Sequence, residues 1–472
     1  MRVPSTIGRL GRRARNADPS WLALPAGVVA ALLALTVLPL APETARMVAI
    51  TLFAVSLWVG TPVPPWFTSL VALGLIGTAF SSELALVGFR APATWLVVFG
   101  IVIGEATRAS GVAELVERRA MARVPDRIAG DPVGTYRYLL VVLSFAGLAF
   151  AVLIPSSLVR VLILGPILIS VGEVFEERRP KIGLFLGPLF ATYYGAAGIL
   201  TGSLANIIIV GIVEDLAGLA ISWTEYALWL GPVMAVGRTL SIIVVAYVLY
   251  RPRNRSAAVQ SPDPEPEGSV SAEERRMLGF LLVGAAIWAT DSLHGLHPLY
   301  GALAVVLLAF APRVGVVGMD VIEDADFTII FFIGAVFAIA AGLQQTGFTD
   351  LAAEGLLSTL PGDASLPLVL VVVFLSAMVL SLIIEGLAVA SVLTPTLVSF
   401  AEGAGVSLFP IALVEAVALN TYFFPHQSVV LVGILGLGMV EFRELVRMAT
   451  LSSLATLLVL LPLQIAVFVA FL

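Results

Sequence analysis

From Trp21 to the C-terminus the sequence is a succession of apolar runs of about 20 residues, the length an α-helix needs to cross a hydrocarbon core. Lipid offers bare backbone no hydrogen-bond partner, so a chain of this kind folds as a bundle of helices. Only 12% of the 472 residues are charged, against about 25% in a soluble domain. The expectation is an all-α polytopic membrane protein. Cysteine is absent, which removes disulfides, thiolate metal sites and Cys nucleophiles. His294, His297 and His426 are scattered and make no zinc set. An intramembrane enzyme also lacks support, because a Ser157–Glu385 pair has no base beside it. The net charge of −6 comes mostly from loops and gives no reason to expect a nucleic-acid partner.

Arginine carries the topology signal, since Lys181 is the single lysine. Arg2, Arg9, Arg12, Arg13 and Arg15 put the basic N-terminus, 1–20, in the cytoplasm. The run that follows reads as an uncleaved first span rather than a signal peptide. Spans fall near 21–40, 47–63, 66–83, 91–107, 182–212, 228–250, 276–291, 298–311, 327–343, 408–440 and 449–472, eleven crossings with an external C-terminus. This fits a cytoplasmic membrane such as that of a bacterium. The charged, Pro-rich linker 251–274 divides the chain. Residues 21–90 form scaffold helices 1–3, 91–250 a first repeat and 275–472 the second half.

Two apolar segments do not fit simple crossings. Residues 138–175 have basic flanks on both sides and one short polar turn, Pro155-Ser156-Ser157. Residues 367–400 lack basic flanks and turn at Glu385-Gly386. We read them as re-entrant hairpins entering from opposite faces. Each tip is followed ten residues later by a proline, Pro166 and Pro395. "WLVVFGIVIGEATRASG", ending at Gly111, echoes "IIFFIGAVFAIAAGLQQTG", ending at Gly347. After each hairpin comes a span interrupted by loop chemistry. The first, 182–212, carries Gly195, Gly198, Gly202, Ser203 and Asn206, and the second, 408–440, carries Pro425, His426, Gln427 and Ser428. Paired broken helices in an inverted repeat are the signature of a secondary transporter with its site at the bilayer midplane.

The stretch Gly198-Ile199-Leu200-Thr201-Gly202-Ser203-Leu204-Ala205-Asn206 resembles the Gly-Thr-Leu-Ile-Gly-Ser/Thr-Pro-Pro-Asn sequence of the divalent-anion/sodium symporter family. The resemblance covers about 90–472. It implies di- or tricarboxylate or sulfate transport by a homodimer, in which a mobile domain moves like an elevator against a scaffold. It also implies sodium as coupling ion, bound at hairpin tips that read Ser-Asn-Thr in the family. Here the tips read Ser156-Ser157-Leu158 and Glu385-Gly386-Leu387, and Leu431 stands where the second broken helix of the family has Asn. Weak or absent sodium dependence is therefore expected, with a proton as the other coupling ion.

These readings nominate Ser156, Ser157, Gly202, Ser203 and Asn206 for one half of an anion site. Glu385, Gly386, Gln427 and Ser428 form the other half. Arg160 is either an anion anchor or the partner of Glu385. Ser157, Asn206, Glu385 and His426 are the ion-coupling candidates, and no cofactor is expected beyond sodium or a proton. Arg238 is assigned to the scaffold and Glu415 to the outer interface. The leading expectation is a secondary active transporter of small anions. The alternatives are a cation/proton antiporter or arsenite-type permease of the same superfamily, and a non-transporting membrane receptor or scaffold.

Overall fold

The computed structural model describes residues 19–60, 63–112, 115, 118–119, 131–254, 270–358, 360–361, 364–384 and 386–472. The basic N-terminus, most of the linker and Glu385 lie outside the described residues. Among the described residues every element is helical. The main helices are α1 (Ala23–Thr36), α2 (Pro42–Gly60), α3 (Pro65–Ala79), α4 (Pro92–Ala109), α5 (Pro132–Leu153), α6 (Ser157–Gly172), α7 (Arg178–Tyr194), α8 (Leu204–Ala217), α9 (Trp223–Leu230) and α10 (Arg238–Tyr250). They continue as α11 (Ala272–Ala289), α12 (Leu299–Ala309), α13 (Ile329–Gln345), α14 (Phe348–Leu357), α15 (Leu366–Ile383), α16 (Gly386–Ala404), α17 (Leu408–Leu419), α18 (Val429–Gly436), α19 (Phe442–Ala455) and α20 (Leu461–Phe471).

Among the described residues five helical segments are long and apolar enough to span a membrane, or six if the pair α13 and α14, bent by 76°, counts as one. That is fewer than the eleven expected crossings. The breaks account for part of the difference, because they leave apolar helices of 10–17 residues such as α6 and α17, while α1, α3 and α12 are themselves short.

The breaks follow from local chemistry. After α7 the chain makes two 3₁₀ turns, Gly195–Gly198 and Leu200–Gly202, separated by extended Ile199. Gly198 is required by close approach: a Cβ there would overlap the backbone nitrogen of Ala235. Ala235 belongs to the π-helical turn Gly231–Gly237 that joins α9 to α10. The second break runs from Asn420 to Ser428, with Pro425 opening a 3₁₀ turn. Proline cannot supply the N–H a continuing helix would need. Gln427 fills the gap, its Oε1 accepting from the N–H groups of Phe423 and Phe424.

Helices α5 and α6 meet at Ile154-Pro155-Ser156, where Ser156 Oγ caps the N–H of Val159. This tip sits against α4, since a Cβ on Gly100 would come within 2.9 Å of Pro155. Helices α15 and α16 meet next to Ile384. Corresponding features recur in the two halves. Pro166 lies inside α6 and Pro395 inside α16. Gly111 and Gly347 both take positive φ, 75° and 73°.

Gly198→Ala is expected to cost about 2 kcal/mol, because the added methyl meets backbone that cannot yield. Gly74→Ala, with no atom within 4 Å of the new Cβ, is the control and should leave stability unchanged. Thermal unfolding of the two purified variants measures the difference.

Candidate functional site

A cavity of about 520 Å³ lies where the first hairpin tip and both broken helices meet α4 and α13. Three helices begin on its wall: α6 at Ser157 and Leu158, α8 at Leu204 and Ala205, and α18 at Val429 and Val430. A helix start offers N–H groups without intrahelical partners and the positive end of the helix dipole. At α8 no side chain caps the first turn. Among the described residues no Lys or Arg lines the cavity. Its walls are largely apolar, through residues such as Val97, Ile101 and Phe332, with Tyr193, Tyr422, several serines and the carboxylates of Glu105 and Asp326 also present. Glu105 is held by Arg108 at 2.7 Å, and Asp326 Oδ1 accepts from Thr328.

Behind this wall the carbonyl ends of α5, α7 and α17 are gathered on two buried arginines. Arg160, fully buried, donates from Nη1 to the carbonyl of Ile154 at 2.5 Å and from Nε to Thr192 Oγ1 at 3.0 Å. Its Nη2 donates to Ser157 Oγ and to the carbonyls of Thr192 and Gly202, at 3.0, 2.9 and 2.7 Å. The guanidinium therefore closes the end of α5 and the end of α7 and pins the first break. It does not line the cavity. All its partners among the described residues are neutral oxygens, and Glu385, its expected partner, lies outside them.

Arg238 does the same for the second break. Its Nη1 donates to the carbonyls of Tyr194 and Asn420 at 3.2 and 2.9 Å. Its Nη2 donates to the Val417 carbonyl at 3.4 Å and to Thr421 Oγ1 at 2.5 Å. Arg238 thus grips the C-terminal ends of α7 and α17. Glu415 is fully buried in α17.

Asn206 and Asn420 join the broken helices. Asn420 Nδ2 donates to Asn206 Oδ1 at 2.8 Å, and Asn420 Oδ1 accepts from Ser203 Oγ at 2.7 Å. Asn206 Nδ2 in turn donates to the carbonyls of Ala196 and Ile199 at 3.1 and 2.8 Å. Tyr193 Oη donates to Ser428 Oγ, and the Tyr193 and Tyr422 rings stack with centroids 5.2 Å apart.

Among the residues nominated from sequence, Ser156, Ser157, Ser203 and Ser428 line the cavity. Gly202 contributes a carbonyl held by Arg160. Asn206 and Gln427 are buried behind the wall, and Gln427 Nε2 donates to the Ser381 carbonyl at 3.0 Å. Gly386 is buried at the start of α16, next to the cavity-lining Leu387. His426 is exposed, with one ring nitrogen 3.1 Å from the Leu382 carbonyl. Sequence reasoning missed Tyr193, Tyr422, Glu105 and Asp326 as wall residues. The polar side chains within otherwise apolar spans were the available signal.

Sodium, the ion the family resemblance implies, does not fit the oxygens at the first tip. Ser157 Oγ and the Gly202 carbonyl already hold Arg160, and Asn206 Oδ1 holds Asn420. Among the described residues no group of three or more His, Asp or Glu side chains is placed to hold a metal ion.

Residues 20–470 match the sodium:sulfate symporter transmembrane region. The chain belongs to this family. It is an integral membrane protein of a transporter family. An uncharacterized transporter of Haemophilus influenzae is 22% identical over 90% of this chain and 92% of its own. The L-tartrate/succinate antiporter of Escherichia coli K12 is 23% identical over 69% of this chain and 66% of its own. Two solved structures share the fold, each with a TM-score of 0.55: the Alcanivorax borkumensis YdaH transporter, at 14% identity over 97% of this chain and 99% of its own, and Neisseria gonorrhoeae MtrF, at 12% over 94% and 97%.

Arg160→Ala in this symporter-family chain is expected to cost about 3 kcal/mol or more, because several buried oxygens lose their donor at once. Methylguanidinium should restore part of that stability, and methylammonium at equal ionic strength should not. Thermal unfolding of the purified variant with each additive decides it.

Proposed function

We propose that the protein is a secondary active transporter of small carboxylate- or sulfate-type anions. The observation that carries this reading is the convergence of three helix starts, at Ser157, Leu204 and Val429, on one cavity. Backbone N–H groups with the positive ends of helix dipoles are a ready anion site. Here they are the cavity's main positive feature, since no Lys or Arg among the described residues lines it. The named activity of the tartrate/succinate antiporter agrees with an anionic substrate.

In this reading the two helix–break–helix segments are re-entrant hairpins of an inverted repeat. The hairpins and broken helices form the mobile unit of an elevator, moving against α1–α3 and their counterparts within a homodimer. The N-terminus is cytoplasmic and the C-terminus external. The anion sits against the starts of α6, α8 and α18. Arg160 supplies at the first tip the positive charge a sodium ion would bring, so sodium is not required there.

Flux of radiolabelled succinate and sulfate into proteoliposomes tests the reading. Protein-dependent uptake should change less than about twofold when sodium is replaced by choline. A strict sodium requirement overturns the role given to Arg160, and absence of flux for every anion overturns the transporter reading. Glu105→Gln removes one wall carboxylate and should tighten binding of a dianion by about threefold or more, through reduced like-charge repulsion. Those wall carboxylates are also what favours a cation-transporting relative, and uptake of a monovalent cation in place of the anions would decide for that alternative.

A further inference from the structure

Glu415 stands in α17, about one turn before the chain breaks at Asn420. Its side chain is fully buried. Oε1 accepts a hydrogen bond from Thr394 Oγ1 at 2.8 Å, and Oε2 has no partner among the described residues. The elements packed closely on α17 are α15, α16, α8, the 3₁₀ turn Gly195–Gly198 and, through Trp229 and Phe409, α9. Helix α15 and the 3₁₀ turn carry no titratable side chain. Helix α16 carries Glu402, which is exposed, and α8 carries Glu214 and Asp215 near its far end. Helix α9 carries Glu225, exposed, and Tyr226, which donates to the Ala197 carbonyl. Arg238 reaches α17 only at the Val417 carbonyl, with its other contacts at Asn420, Thr421 and Tyr194. No cation among the described residues pairs with Glu415.

An ionised carboxylate with one neutral hydrogen bond and no counter-ion is too costly in such surroundings. The one partner of Glu415 belongs to α16, the inner arm of the second helix pair, next to Pro395, whose missing N–H weakens that helix locally. A shift of α16 against α17 would part Thr394 from Glu415 and let water reach the carboxyl.

We propose that Glu415 is the proton-binding site of the transport cycle. On exposure its O–H bond breaks, the proton passes to water and the carboxylate keeps the electron pair; reclosure requires a proton to be taken up again from water on the face then open. This rests on the transporter reading above, but the protonation state can be tested without it.

Infrared difference spectra of wild type against Glu415→Gln at neutral pH should contain a protonated-carboxyl C=O band present only in wild type. Absence of the band overturns the proposal. In proteoliposomes with an internal pH dye, succinate uptake by wild type should carry protons. Glu415→Gln should continue succinate exchange with about tenfold fewer protons per succinate. Undiminished proton movement in that variant, or succinate uptake by wild type without protons, overturns it. If Glu415→Gln does not fold, Thr394→Val takes its place. Its loss of the single hydrogen bond should move the pH midpoint of uptake by about one unit, a tenfold change in proton affinity, and an unmoved midpoint overturns the proposal. If no anion moves at all, the transporter reading fails and the infrared band alone decides the state of Glu415.

Discussion

Two guanidinium groups buried among carbonyl oxygens hold the centre of this protein together. Arg160 takes the ends of α5 and α7 and the Gly202 carbonyl, and Arg238 takes the ends of α7 and α17. Broken helices leave unsatisfied carbonyls in the middle of an apolar bundle, where each costs a desolvation penalty. Arginine answers several at once, because its fork carries five donors in fixed geometry. The carbonyl ends are negative, so a buried cation is stabilised there without an acidic partner. The opposite ends of the neighbouring half-helices, the starts of α6, α8 and α18, are thereby left facing the cavity. The same arrangement that satisfies the breaks sorts the helix dipoles, with their negative ends on arginine and their positive ends toward the cavity.

This sorting binds the two halves of the chain into one unit. Asn420 touches Asn206 and Ser203 from the other half, Tyr194 Oη donates to the Tyr422 carbonyl, and Ser453 Oγ donates to the same carbonyl. These groups have little freedom to rearrange singly. A ligand held by the three helix starts would therefore move with the whole assembly, which is the physical content of the elevator reading. Cohesion of this kind also isolates Glu415, whose link to α16 is a single hydroxyl.

The places where helices break were legible in sequence. Gly195, Gly198, Gly202 and Ser203 mark one interruption and Pro425 the other, because glycine and proline act through the backbone wherever they occur. The partners of the charged residues were not legible. A span that is apolar all round gives no periodicity from which to read a face, so Arg238 looked like a scaffold residue although its contacts lie about 180 residues away in the chain. Arg160 was legible as a buried cation in need of a partner. That the partners are carbonyls of three separate segments depends on tertiary packing. Asn420 connects the two breaks, and Glu415 lies in the interior.

In the proposed reading the anion is bound by backbone N–H groups at converging helix starts, with the arginines acting from behind. A cryo-electron microscopy structure of the protein with bound succinate tests this most directly. The account predicts density within hydrogen-bond distance of the first-turn N–H groups at Leu204, Leu158 or Val429, with Arg160 still on the carbonyls of Ile154, Thr192 and Gly202. Succinate bound bidentately to the Arg160 guanidinium, with those carbonyls released, would contradict it.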